Sequence, residues 1–240
     1  SFNTQDLDAI LFCPIVWTND RPVVAFIQEA RRVPLMLWAH DPYGRLLPHY
    51  RIEEWLRASG PVSVQQCSNI FCRFGWAYES VFGSEKDPRT LRRIHAFATA
   101  AAVRSGLRGT RIAVLPAPCQ MVMSTWADAF HLLECFGVEL LHVSVEEYAR
   151  LVDGISGNDV DEYEAYLRAL CPVAGVTDDE LRASARHALA MVRLAEENGL
   201  SGIAIEDFHP EFYRRFGFRP HLAHPKLGEL GCIVGMEADV

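Results

Sequence analysis

The feature of this sequence that most constrains its fold is a regular alternation of short apolar runs with helical patterns. Residues 8–13 and 33–38 are apolar runs of strand length, and each is followed by a segment with the period of an amphipathic helix. Four later runs continue the pattern, at residues 110–115, 137–143, 202–205 and 232–236. Strands that alternate with helices favour parallel sheets covered by helices. The sequence therefore predicts an α/β fold.

A long helix that begins at Asp87-Pro88 and ends near Gly106 divides the chain. Aspartate is a favoured N-cap and proline fits the first helical turn. The strand–helix alternation restarts directly after Gly106, so we predict two tandem Rossmann-like units with parallel sheets covered by helices, residues 1–106 and 107–240.

Smaller signals predict individual elements. Ser144–Glu147 and Thr177–Glu180 have the spacing of capping boxes, and the second helix should end at Asn198 before Gly199. A helix is predicted from about residue 124 to 135, and residues 62–64 are interpreted as a third strand of the first unit.

Composition narrows the functional classes. The formal net charge is -8 and lysines and arginines do not cluster, which argues against a nucleic-acid partner. No apolar stretch is long enough for a membrane span, so no membrane partner is expected. The seven cysteines fit no zinc pattern and indicate free thiols in a cytoplasmic protein. Glycine-rich nucleotide-binding motifs are absent from the sequence.

Two carboxylates, Glu237 and Asp239, directly follow the last predicted strand. Ligands of open α/β sheets bind just beyond the carboxyl ends of strands, and carboxylates are suitable ligands for Mg²⁺ or Mn²⁺. A metal site is therefore one interpretation, and a solvated acidic loop or a helix N-cap is the other.

A second polar cluster follows the predicted strand at residues 202–205. Glu206, Asp207 and His209 would lie near Glu237 if the two strands are neighbours. Glu206 and His209 are candidate contacts for a substrate, although His209 and the proline after it could instead begin a helix.

Aromatic and histidine side chains supply further candidates. Trp17 and Trp38 each follow or end an early strand beside polar residues, a combination typical of sugar sites and also of simple packing at the rim of a sheet. His221 and His224 could form a metal pair, but Pro225 disfavours a helical ligand set.

Four stretches, in this order, resemble the L-fucose isomerase and L-arabinose isomerase family. They are residues 16–41, 65–84, 106–148 and 231–240. The last of these, GCIVGMEADV, is similar to the family's strand ending in E-x-D, whose glutamate is a ligand of a divalent metal.

The resemblance assigns roles to five residues of this chain. It implies that Glu237 is a metal ligand and a catalytic residue, and that Asp239 is the second acid of the same motif. It implies that Trp17 contacts sugar, in its own or a neighbouring subunit, and that Met121 or Met123 lines the pocket.

The resemblance also implies a function, the isomerisation of an aldose to a ketose with a divalent ion, Mn²⁺, bound to O1 and O2 of a small sugar. Family members form symmetric oligomers, so a homo-oligomer is expected. The family's other metal ligands and third domain lie beyond the E-x-D strand, and its first domain has an opening βα unit that this chain lacks. We therefore expect a partial chain with negligible isomerase activity alone.

Two other functions remain open at this stage. One is a sugar-binding or regulatory module of two lobes, with no chemistry. The other is an unrelated metal-dependent enzyme, such as an aldolase or a hydrolase, that uses Glu237 with Glu206 and His209.

Overall fold

A computed structural model of the chain describes residues 7–30, 32–217 and 224–240. The chain divides into two compact units, Ser1–Gly106 and Leu107–Val240. Each unit contains one sheet in which all described strands are parallel, with helices between them, so the predicted α/β class is confirmed. None of the helices in these described ranges has both the length and the apolar character needed to cross a membrane.

Among its described residues, the first unit has a three-stranded sheet and four helices. Its strands pair in the order β1 (Ile10–Phe12), β2 (Leu35–His40) and β3 (Glu79–Gly83). The helices are α1 (Asp20–Ala30), α2 (Ile52–Arg57), α3 (Gly60–Arg73) and α4 (Pro88–Leu107). Ile27 of α1, Leu37 of β2 and Phe71 of α3 are buried together and form the centre of its core.

The third strand predicted for this unit is wrong. Residues 62–64 lie near the start of α3, in which Val64, Cys67 and Phe71 are buried at helical spacing. The third strand is β3, where only Val81 is buried, so its sequence lacks the strong apolar signal of a central strand.

The second unit has four strands and six helices among its described residues. The strands are β4 (Arg111–Leu115), β5 (Glu139–His142), β6 (Gly202–Ile205) and β7 (Ile233–Met236). The helices are α5 (Ala129–Phe136), α6 (Val145–Asp153), α7 (Gly157–Leu170), α8 (Asp178–Asn198), α9 (Pro210–Phe216) and α10 (His224–Glu229). Every residue of β6 is buried, and the core also contains Tyr148, Met191 and Phe212.

Side-chain caps set the helix boundaries in this unit. Thr177 and Glu180 form the predicted capping box, and α8 ends before Gly199, which has a left-handed backbone. Ser144 accepts a hydrogen bond from the Glu147 N–H at the start of α6. The helix predicted from about residue 124 to 135 is present as α5, but its predicted start is wrong, because the Asp128 side chain accepts hydrogen bonds from two backbone N–H groups and begins α5 there.

The strand order of the second sheet, β5-β4-β6-β7, contains a reversal of direction. From β4 the chain moves to β5 on one side, and it then returns to β6 on the other side of β4. At such a switch point the loops after the two central strands diverge and leave a crevice at their carboxyl ends. The fold therefore predicts a ligand site between the carboxyl ends of β4 and β6.

Candidate functional site

Two carboxylates are buried directly beyond β6. Glu206 and Asp207 are each 3% exposed. The Glu206 N–H donates a 2.7 Å hydrogen bond to the Leu115 carbonyl, which continues the pairing of β6 with β4 by one residue. Burial of a carboxylate costs free energy unless hydrogen bonds or charges compensate it. The residues around the Glu206 and Asp207 carboxylates are therefore the first place to look for a functional site.

Cys119, in the loop after β4, lies beside Glu206 in the wall of one cavity and is 1% exposed. The Glu206 side chain, together with burial, raises the pKa of the Cys119 thiol, and the backbone N–H groups of Met121 and Val122 act in the opposite direction. The thiol is thus protonated at neutral pH.

A cavity of about 450 Å³ lies beside this pair, within the size range of small-molecule pockets. Its lining includes Cys119, Met121, Glu206, Phe208, His209 and Arg214. One oxygen of Glu206, Oε2, is buried without a hydrogen-bond partner among the residues that the structure describes. The crevice expected at the switch point is therefore present, and a carboxylate with one unsatisfied oxygen forms part of its wall.

His209 has a structural role as well as a place in the cavity wall. It is the N-cap of α9, and its Nδ1 accepts a 3.3 Å hydrogen bond from the Glu211 N–H. The interpretation of His209 and Pro210 as a helix start is thus confirmed. Because Nδ1 accepts, the proton of the neutral ring is on Nε2, which is then available as a donor.

The two predicted methionines differ in position. Met121 lines the cavity. Met123 lies in a short 3₁₀ turn, Met123–Thr125, with 73% of its surface exposed, and it is not among the lining residues.

The E-x-D sequence forms a tight turn after β7. The Asp239 N–H donates to the Met236 carbonyl, and the two residues between them, Glu237 and Ala238, have φ angles of 58° and 54°. The side chains of Glu237 and Asp239 are exposed. The turn is therefore an exposed acidic loop and not a helix N-cap.

Two backbone hydrogen bonds fix this turn to the end of β6. The Glu237 N–H donates to Oδ1 of Asp207 at 3.3 Å, and the Ala238 N–H donates to the Ile205 carbonyl at 2.9 Å. The structure thus brings Glu237 beside the second acidic sequence. Asp239 is on the far side of the turn.

The described residues do not provide a complete site for Mn²⁺. Across residues 7–30, 32–217 and 224–240, no three side chains of His, Cys, Asp or Glu are grouped so that they could hold a metal ion. Glu237 offers one exposed carboxylate, and Glu206 is buried. The histidine pair predicted at His221 and His224 lies outside the described residues, as the side chain of His224 is not described either.

Trp17 lies in the first unit and lines a cavity of its own. Its indole N–H donates to Oε1 of Gln66 at 2.9 Å, and its backbone N–H donates to Ser59. Thr18, Asn19, Asp20 and Gln66 complete this cavity of about 440 Å³. Over half of the Trp17 surface is exposed, so the ring is available for contact with a ligand.

Trp38 and His40 form contacts at the carboxyl end of β2. The Trp38 indole donates to the Gly83 carbonyl, which supports a packing role for this ring. The His40 Nε2 lies 2.7 Å from Oε2 of Glu85. This hydrogen bond is the main cause that lowers the pKa of Glu85 to about 2.

Sequence reasoning missed Cys119, Phe208 and Arg214 as cavity residues. Cys119 was interpreted as one buried thiol among seven. The signal that could have identified it is its place in the loop after β4, the first strand of the unit. Arg214 lies three residues after Glu211, with which it forms an ion pair in α9. In the sequence this spacing is that of an ordinary charge pair on the surface of a helix.

Comparison with known proteins supports a distant relationship to sugar isomerases. No known family model matches the chain. An L-arabinose isomerase from Nocardioides sp. (strain ATCC BAA-499 / JS614) is 29% identical over 221 residues, which cover 88% of this chain and 43% of that protein. The chain thus spans less than half the length of the curated relative that it matches.

Proposed function

We propose that this chain is the sugar-binding part of an aldose–ketose isomerase. The observation that carries the proposal is the cavity between the loops after β4 and β6, where Oε2 of Glu206 is buried and without a partner among the described residues. The similarity to an L-arabinose isomerase supports a sugar as the ligand.

The lining of the cavity suits a polyhydroxylated ligand. A sugar hydroxyl can donate to the Glu206 carboxylate, and the Nε2–H of neutral His209 can donate to another hydroxyl. Met121 and Phe208 provide apolar surface for the C–H groups of the sugar. Both kinds of contact are needed to bind a small and weakly amphipathic molecule.

The charges around the cavity favour a neutral sugar over a sugar phosphate. Arg214 is paired with Glu211 at 2.5 Å, so its charge is already compensated. The buried carboxylate of Glu206 remains as the charge that faces the ligand, and it repels an anion.

Glu237 is proposed as one ligand of a divalent cation, Mn²⁺, with the neighbouring acid Asp239 in the same turn. Consecutive left-handed residues other than glycine cost free energy, and such conformations are concentrated at functional sites. One exposed carboxylate does not form a metal site, so further ligands must come from residues outside the described ranges or from another chain. Isomerase turnover by this chain alone is therefore expected to be negligible.

The proposal also includes association with further protein. The short helix α5 has no buried residue, and Phe130 and Leu133 on it are 85% and 54% exposed. Exposed apolar residues grouped on one helix are typical of protein interfaces, which supports a homo-oligomer.

Isothermal titration calorimetry tests the function. The chain is titrated with L-arabinose and with Mn²⁺, as the wild type and as Glu237→Ala, with Glu197→Ala on the exposed end of α8 as the control. We expect the wild type and the control to bind L-arabinose and to bind Mn²⁺ only weakly, because the ligand set is incomplete, and Glu237→Ala to lose this weak Mn²⁺ binding. Sugar binding without any Mn²⁺ binding would favour the non-catalytic module, and measurable turnover of L-arabinose with Mn²⁺ would contradict the partial site.

A further inference from the structure

His131 and Cys135 lie one turn apart on α5, and their side chains are in contact. The Sγ atom of Cys135 lies 3.6 Å from both Nδ1 and Nε2 of the His131 ring. Residues four apart on a helix share one face, so this contact follows from the helix itself. His131 is exposed and Cys135 is partly buried, so the pair is accessible from the solvent.

The separation of these two side chains suits a zinc ion. Imidazole and thiolate are common ligands of Zn²⁺, at about 2.0–2.1 Å for nitrogen and about 2.3 Å for sulfur, in a tetrahedral arrangement. Two such ligands lie about 3.6 Å apart, and this is also the distance between the Cys135 sulfur and either ring nitrogen. Because His131 is exposed, its ring can turn until one nitrogen points at an ion bound to the sulfur.

The pair supplies only two of the four ligands that a structural zinc site needs. Within the described ranges 7–30, 32–217 and 224–240, no third His, Cys, Asp or Glu side chain is grouped with it. A second copy of the chain supplies the same two ligands when the α5 helices of both copies meet across a two-fold axis. This helix has no buried residue, and Phe130, next to His131, is 85% exposed, so α5 offers apolar surface for such a contact.

Charge balance favours a symmetric site of this kind. Two thiolates compensate the charge of Zn²⁺ and two neutral imidazoles add none, so the completed site is electrically neutral. A neutral site costs less free energy to bury between two proteins than a charged one. One histidine and one cysteine from each copy therefore fill all four positions without a net charge.

We propose that His131 and Cys135 form half of a Zn²⁺ site, which two copies of this chain complete through their α5 helices. Each cysteine thiol loses its proton to solvent as its sulfur binds zinc, and no group is oxidised or reduced. The association of two copies rests on the homo-oligomer of the proposed function. The zinc site is distinct from the Mn²⁺ site proposed at Glu237, because thiolate and imidazole are softer ligands than carboxylates.

A titration with Co²⁺ tests the site, because cobalt can replace zinc in tetrahedral sites and its complexes absorb light. The metal-free chain should take up one Co²⁺ per two chains, with the charge-transfer band of a cobalt–thiolate bond in the near ultraviolet. Sedimentation of the same samples should show that the metal-bound species is a dimer. Cys135→Ala and His131→Ala should lose this uptake, and Zn²⁺ should displace the cobalt from the wild type.

Two further variants make the test specific. Cys171→Ala removes an exposed cysteine of the same unit and should leave the titration unchanged. Cys135→His replaces the sulfur by a second imidazole, so it should still bind Co²⁺ and should lose the charge-transfer band. A band that persists in Cys135→Ala, or uptake of one ion by each monomer, would overturn the shared site.

Failure of the zinc site can be told apart from failure of the proposed function. A wild type that takes up no Co²⁺ overturns the zinc site, and if this metal-free chain is a dimer, the association of two copies still holds. Cobalt bound between two copies of a chain that binds no L-arabinose upholds the zinc site and refutes the sugar-binding function.

Discussion

The backbone N–H of Glu237 donates a hydrogen bond to Oδ1 of Asp207, which joins two acidic sequences that are 30 residues apart. Together with the bond from the Ala238 N–H to the Ile205 carbonyl, it attaches the turn after β7 to the end of β6. The position of the exposed Glu237 carboxylate therefore depends on a buried side chain of the neighbouring strand.

The first prediction concerns this attachment. Asp207→Ala removes a buried acceptor and should lower the free energy of unfolding by about 1–3 kcal/mol. Asp207→Asn keeps a carbonyl acceptor for the Glu237 N–H and should cost less. Urea unfolding of both variants measures the difference, and an asparagine variant as unstable as the alanine variant would contradict the role of this bond.

The second prediction concerns the backbone of the same turn. A Cβ atom at Gly235 would lie 2.4 Å from the carbonyl oxygen of Asp239, because the turn folds back onto β7. Gly235→Ala should therefore destabilise the unit by about 1–3 kcal/mol and shift the amide signals of residues 237–239.

Gly228 is the matched control for Gly235. It lies in α10, and a Cβ atom there meets nothing within 4 Å. Gly228→Ala should be neutral or should stabilise the protein by up to about 1 kcal/mol, since glycine is unfavourable within a helix. Equal effects of the two substitutions would mean that the close approach at Gly235 does not exist.

Local signals explain why much of the fold could be predicted. The strand at residues 202–205 was identified correctly because it is a short apolar run with a turn on each side, and every residue of it is buried. The start of α8 was identified because both halves of its capping box are encoded within four residues, Thr177–Glu180. β3 was missed because Val81 is its only buried residue.

The candidate site could be predicted only in part, because its geometry depends on strand order. Glu206 and His209 were identified because they directly follow a strand. Cys119 was not identified, because its place beside Glu206 requires that β4 and β6 be neighbours. These strands are far apart in the sequence: 86 residues lie between Leu115, the last residue of β4, and Gly202, the first residue of β6. No local pattern encodes a contact of that kind.

The third prediction concerns the pH dependence of stability. His187 is buried beside Tyr148 and Phe216, and burial lowers its pKa from 6.5 to about 4. Between pH 4 and pH 6.5, His187 is therefore protonated in the unfolded chain and neutral in the folded chain. The contribution of His187 is therefore complete above pH 6.5 and is lost as the pH falls to about 4, in total about 3 kcal/mol.

His187→Gln tests this contribution, because glutamine does not titrate. The difference in unfolding free energy between the wild type and the variant, measured from pH 4 to pH 7, should grow in favour of the wild type as the pH rises. Parallel curves over this range would show that His187 titrates normally in the folded protein.

The fourth prediction concerns the pair formed by His40 and Glu85 in the first unit. The hydrogen bond from His40 is the largest cause of the lowered pKa of Glu85, and the hydroxyl of Ser84 is a smaller one. His40→Leu should raise the pKa of Glu85 from about 2 toward 4.5, and Ser84→Ala should raise it less. A titration of the Glu85 side chain by NMR measures both, and a larger rise in Ser84→Ala would reverse the assignment of causes.

The most direct test of the account locates the bound sugar. The ¹⁵N-labelled chain is titrated with L-arabinose, and the amide signals are followed by NMR. Binding at the switch point predicts saturable shifts on both loops of the cavity, at Gln120 and Met121 after β4 and at Phe208 and His209 after β6. Signals that stay unchanged on these loops, or shifts confined to the cavity of Trp17, would contradict a sugar site between the ends of β4 and β6.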